Sequence, residues 1–391
     1  MKTSSAVKIT IIYALTVFLA ANIASNHLLG HTLIQAPQMN RSQTIEAQKA
    51  CGPQEPIEDL SAASDPHLSK LEEYQQACQS LVTDELMIFV DMPNSDPAAK
   101  KDAEALAVTL KEFSQYDISP IVVAEPVTEW GLVDFEEFAD GFYDNWLDTY
   151  FSTLKSEGIT DEEMGTWVPF PEANLPYWNN HGNPRDFAAN VNIYLGILKS
   201  HFPDAKGSIL LNSATYDSED FDWLHGEYVS FRPFIETINN SYIDRFGMQG
   251  FPWSSNKVDG GAGIYSAAEF LNHRLAMEAA DFLGTDHIWL NTGTYSAKYA
   301  LDEDRLVEIS PEMRKDILGS ILSESLRLKD QDYKVSINIF AEDKSQTEEE
   351  TDWSYWPQGE PNASSHMPLF VDFASSLNDS NINYSLFDIK H

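Results

Sequence analysis

The chain is short of cysteine. Cys51 and Cys78 are its only two, both ahead of the first strongly apolar segment of the body. That excludes a disulfide-stapled scaffold and leaves either one bridge, in an oxidising compartment, or two free thiols; with no Cys or His pair nearby, a zinc site is not expected. Positive charge is scarce too. Lys and Arg total 25 against 61 Asp and Glu, a formal charge of −36, so phosphate backbones are repelled at long range and nucleic acid is excluded as a partner. Several reaction signatures are missing: there is no G-x-S-x-G elbow, no H-E-x-x-H helix, no P-loop and no calcium loop of the D-x-[DN]-x-[DN]-G type. Acyl-serine chemistry, metal chemistry and a bound cofactor therefore have no support in the sequence.

Long apolar runs are also rare, and there is one. Behind Lys2 and Lys8, residues 9–24 form an apolar core that reads as an export signal. It is short for a membrane span, but the cleavage pattern around Asn22-Ile23-Ala24 is poor, so an uncleaved anchor stays open. The expected organisation is a signal or anchor over 1–30, a polar, proline-containing tether over 31–65, and a globular body over 66–391. A secreted or cell-surface location follows, with membrane attachment through the N-terminal segment as one form of it.

What the body does contain is apolar material, 43% hydrophobic and 12% aromatic residues, enough for a large core despite the charge. Short apolar runs at 86–91, 120–125, 166–172, 208–212, 245–251, 287–291, 334–342 and 368–372 alternate with amphipathic stretches at 98–113, 135–154, 184–200, 266–282 and 311–328. Eight strands with helical crossovers predict a (β/α)₈ TIM-type barrel, and no glycine-rich phosphate turn follows the first strand to suggest an open nucleotide-binding sheet. Most runs end in polar or aromatic residues: Asp91, Glu125, Glu172, Asn212, Trp253, Asn291 and Glu342. In a closed parallel barrel such ends share one rim, where barrel enzymes do their chemistry.

The most informative stretch is Trp167-Val168-Pro169-Phe170-Pro171-Glu172-Ala173-Asn174-Leu175-Pro176-Tyr177-Trp178. A carboxylic acid among aromatic rings is poorly hydrated and so retains its proton, as a general acid must, while Asn174 is placed to orient a sugar hydroxyl. Rings that follow strand ends, Trp130, Trp178, Tyr216, Trp253 and Trp356, suit stacking on sugar faces, and His181 and Gln249 add polar groups to the same rim.

These residues carry a resemblance. Pro120–Pro126 as PIVVAEP, Gly141-Phe142-Tyr143-Asp144, Pro171-Glu172-Ala173-Asn174, the stretch 242–250 as YIDRFGMQG, and Ile339-Phe340 followed by Asp352-Trp353 resemble, in order and spacing, the motifs of clan A glycoside hydrolases, within them family 26, typified by β-mannanases. The resemblance implies a barrel acting on a β-linked, mannan-type polysaccharide or oligosaccharide, with Glu172 as acid/base. It departs from the family in two places. Pro171 stands where the family has histidine, and the strand taken as the family's seventh, which carries its nucleophilic glutamate, ends here in Asn291. The second carboxyl then falls to Glu342, with Glu125 and Asp91 behind it. A wide gap with water between the two carboxyls gives inversion, a narrow one retention. Without a second carboxyl the same cleft makes a non-catalytic carbohydrate-binding protein, which is the alternative reading.

Overall fold

Runs such as Ile121-Val122-Val123-Ala124 and Ile209-Leu210-Leu211 have no polar face, so they are stable as strands only when covered on both sides. The computed structural model covers them by closure. It describes residues 85–115, 118–128, 131–174, 184–213, 231–250, 271–292, 298–302, 305–308, 311–340 and 367–387. Eight parallel strands form the barrel: β1 Glu85–Asp91, β2 Ser119–Glu125, β3 Thr166–Pro169, β4 Lys206–Asn212, β5 Arg245–Gln249, β6 His287–Thr292, β7 Lys334–Phe340 and β8 Asn383–Phe387. Each pairs with its sequence neighbour, and β1 closes on β8 with Glu85 opposite Ser385. The crossovers carry α1 Asp96–Gln115, α2 Phe135–Ala139, α3 Asp144–Ser156, α4 Pro184–His201, α5 Arg232–Ile235, α6 His273–Leu283, α7 Pro311–Lys329 and α8 Met367–Asp379. The (β/α)₈ expectation holds.

Two apolar layers result. In the outer one, alternate strand residues (Val122, Trp167, Ile209, Phe246, Ile288 and Ile337) join helix residues such as Leu110, Phe151, Val191, Leu275 and Ile321 in one cluster. The inner column holds the opposite parity, with Met87, Ile121, Val123, Val168, Leu210 and Trp289 buried outside that cluster. Gly247 makes room for the largest of these. A Cβ there would stand 2.4 Å from the Trp289 ring, whose Nε1 donates to Ser208 Oγ at 2.7 Å.

Below the ring the inner column turns ionic. The buried Arg245 guanidinium sits 5.4 Å from the Trp289 ring centroid and pairs with Glu85 across the barrel at 3.1 Å. His287 lies beside them, its Nε2 3.0 Å from Ser336 Oγ.

Three expectations need correction. The run 368–372 is not a strand: it lies in α8, where Phe373, Ala374 and Leu377 are buried at helical spacing, and the eighth strand is Asn383–Phe387. A short apolar run satisfies either period, and the next turn of residues decides it. The stretch 135–154 is two helices, broken where Gly141 adopts φ 83°. Finally, the strand beginning at His287 is the sixth of the closed barrel, and the run beginning at Lys334 is the seventh. The motif correspondence is thereby displaced by one strand.

The N-terminal segments, both cysteines and the question of a bridge between them lie outside the described residues. Among the described residues no helix is long and apolar enough to cross a membrane.

Candidate active site at the barrel mouth

β3 stops at Pro169, so Glu172 lies not on a strand but on the turn that follows. Two non-glycine residues there have positive φ, Phe170 at 52° and Glu172 at 54°. Three contacts hold this bend. The Phe170 ring is fully buried in the outer layer, 5.1 Å from Phe135, 5.0 Å from Phe138 and 6.0 Å from Tyr194 between ring centroids. The Phe170 N–H donates to Ala124 O of β2 at 2.9 Å, and the Glu172 N–H donates to Leu210 O of β4 at 2.8 Å. The turn thus replaces the missing end of β3 and bridges its two neighbours, with Glu172 buried.

Glu172 has a polar seat. Asn212 Nδ2 donates to its Oε1 at 2.5 Å, and Gln249 Nε2 donates to the same oxygen. Gln249 Oε1 in turn accepts from Asn291 Nδ2 at 2.5 Å. Asn174 fastens the arrangement to the backbone, its Nδ2 donating to Asn212 O at 2.8 Å while its Oδ1 accepts from Asn212 N–H at 2.9 Å. Of the rings expected around Glu172, Trp167 and Phe170 belong to the outer apolar layer, and Tyr177 and Trp178 lie outside the described residues. Oε1 thus accepts from two amide donors in a buried seat.

Register explains why these side chains meet. Asn212 pairs with Gln249, Gln249 with Asn291 and Asn291 with Asn338, so four amides on consecutive strands occupy one row of the inner face. Asn174, Gln249 and Asn291 were expected at the site and are brought together there. Asn212 was named only as one of the polar strand ends, and Asn338 was not singled out; the sequence signal was a polar residue within or ending an apolar run, as in Ile209-Leu210-Leu211-Asn212 and Ser336-Ile337-Asn338-Ile339. Asp91 and Glu125 pair with each other at the ends of β1 and β2, Asp91 exposed and Glu125 half-buried. Glu342, Trp130, Trp178, His181, Tyr216, Trp253 and Trp356 lie outside the described residues. Among those described, no group of three or more His, Cys, Asp and Glu side chains is placed to hold a metal ion.

β4, β5 and β7 begin with the cations Lys206, Arg245 and Lys334, with Glu85 at the start of β1 paired to Arg245, whereas the described ends of the strands carry Asp91, Glu125, Asn212 and Gln249 and no cation.

No family model matches the chain, and no curated protein matches its sequence. Solved structures do match its fold. A β-glucosidase from Thermotoga maritima aligns with TM-score 0.51 at 11% identity, over 79% of this chain and 87% of the other. GH5_18 from Bifidobacterium longum aligns with TM-score 0.53 at 12% identity, over 81% of this chain and 75% of the other. The exo-β-1,4-mannosidase Op5Man5 from Opitutaceae bacterium strain TAV5 aligns with TM-score 0.51 at 15% identity, over 81% of this chain and 58% of the other. The chain shares with these proteins the closed (β/α)₈ barrel. The finer likeness to family 26 rests on the sequence motifs alone.

Proposed function

We propose that this protein is a glycoside hydrolase-like barrel acting on a neutral, β-linked glycan of the mannan type, with Glu172 as general acid/base. The observation that carries this reading is one buried carboxyl, aimed by a bent turn into a row of amides at the mouth of the barrel. Glu172, its Oε1 held by Asn212 and Gln249, would carry the proton to a leaving glycosidic oxygen and later recover it from water. Amides and acids without a cation at the described strand ends suit hydroxyl-rich neutral substrates and disfavour uronates. The β-glycosidic activities named for Thermotoga and Opitutaceae proteins of the same fold support the linkage.

Glu342 is the partner carboxyl in this reading. It follows β7, the seventh strand, by two residues, the strand at whose end the resembled family carries its nucleophile. Export through residues 9–24 would bring the protein to polysaccharide outside the cell.

The test is hydrolysis of manno-, gluco- and galacto-configured β-oligosaccharides, followed as new reducing ends. Glu172→Gln should lower kcat by about 10²–10⁴-fold with the fold preserved; undiminished activity in a folded Glu172→Gln protein refutes the assignment. A second reading, a carbohydrate-binding protein that does not cut, is favoured by Asn212 and Gln249 ending β4 and β5 and Asn291 standing next to the end of β6, where a second carboxyl could stand. Saturable glycan binding with no new reducing ends in the wild type decides for it.

A further inference from the structure

The amides around Glu172 form a directed chain. Asn291 Nδ2 donates to Gln249 Oε1, and Gln249 Nε2 donates to Glu172 Oε1, so both N–H groups point toward the carboxyl. A primary amide can be turned end for end, and in isolation neither direction is preferred. In this chain the direction matters. Reversed, Gln249 would present its carbonyl oxygen to Glu172, replacing a donor by a repulsive dipole. At the far end, buried Asn291 leaves its Oδ1 without a hydrogen-bond partner among the described residues. An orientation that leaves a buried acceptor unsatisfied is held by what happens at the other end, where the N–H dipoles meet a carboxyl oxygen.

We propose that Asn291 is a positioning residue, which orients the Gln249 amide and through it governs whether the Glu172 carboxyl is charged. The consequence for turnover rests on the reading of Glu172 as the acid/base; the relay itself does not. Among the described residues, other titratable groups at this level are few. Asp91 and Glu125 have inner-face parity on β1 and β2, while β4, β5 and β6 present only Asn212, Gln249 and Asn291. Glu342 follows β7 beyond the described residues, and Arg245 and Glu85 are paired to each other at the opposite end of the barrel.

The discriminating substitution is Asn291→Asp, the same shape with the donor removed. An ionised Asp can only accept, so it draws the Gln249 N–H group to itself and turns the Gln249 oxygen toward Glu172. Titration of the full chain labelled with ¹³C at glutamate carboxyls, with the Glu172 signal assigned by Glu172→Gln, reads the result directly. Asn291→Asp should raise the proton affinity of Glu172 by about tenfold or more, one pH unit in its midpoint. Asn291→Ala should raise it less, and Gln249→Leu should raise it with or without a change at 291, because the relay is then already cut. The proposal is overturned if Asn291→Asp or Asn291→Ala leaves the midpoint in place, or if either shifts it equally in the Gln249→Leu background. Should Asn291→Asp fail to fold, the Asn291→Ala and Gln249→Leu pair completes the same cycle. A shifted midpoint in a protein whose Glu172→Gln variant still hydrolyses glycan would sink the catalytic reading and leave the relay standing.

Discussion

Acidification should unfold this protein in part through His287. Its ring lies at the start of β6 against Arg245, and burial first, then the guanidinium, push its pKa down to about 4 from 6.5. In the unfolded chain the imidazole is free of both and takes up a proton as the pH drops through 6.5. Between pH 6.5 and 4 the unfolded state therefore binds more protons than the native state, and stability falls with falling pH, levelling off below 4. A gap of about 2.5 pH units corresponds to roughly 3 kcal/mol at full development, at about 1.4 kcal/mol per unit. The assay is urea unfolding of the wild type and His287→Gln at pH 4, 5, 6 and 7.5. Gln keeps a polar group opposite Ser336 and does not titrate, so the carboxylates common to both proteins cancel in the difference. The wild type should lose roughly 3 kcal/mol relative to the variant between pH 7.5 and 4. A wild-type-minus-variant difference that is the same at both ends of the range refutes the reasoning.

Two further perturbations probe the inner column. Gly247→Ala drives a methyl group into the Trp289 ring and should cost about 1–3 kcal/mol in chemical denaturation, with the shift visible in tryptophan fluorescence; an unchanged midpoint would mean that the ring has room to move. Glu85→Gln strips the buried Arg245 of its counter-charge and should cost about 3–5 kcal/mol, so a protein as stable as the wild type would show that water already reaches the guanidinium.

Much of the barrel was legible because its strands are covered on both faces and so stand out as apolar runs. Strands β1, β2, β4, β5, β6 and β7 were placed within two residues at each end for that reason. The final strand was not, since Asn383-Tyr384-Ser385-Leu386-Phe387 is half polar while the helix before it carries the stronger apolar run. The site was legible in its centre and dark at its edges. Glu172 and Asn174 announced themselves by local context, a carboxyl and an amide after a proline-flanked strand. Asn212, 40 residues from Glu172, becomes its partner only through the pairing of β3 with β4 and the turn that returns over β4. No local pattern encodes that meeting. The strand number assigned to each motif failed for a related reason: numbering by likeness presupposes the first strand, and only closure of the sheet reveals which one that is.

The backbone at Glu172 is the kind that glycine occupies most easily, and a branched or long side chain held there costs about 1–2 kcal/mol. Removing the side chain altogether should therefore relax the bend: Glu172→Gly would be a more stable protein than Glu172→Ala, in the reverse of the order seen inside helices. A fold that keeps an acid on a left-handed residue is trading ease of folding for a fixed line of aim.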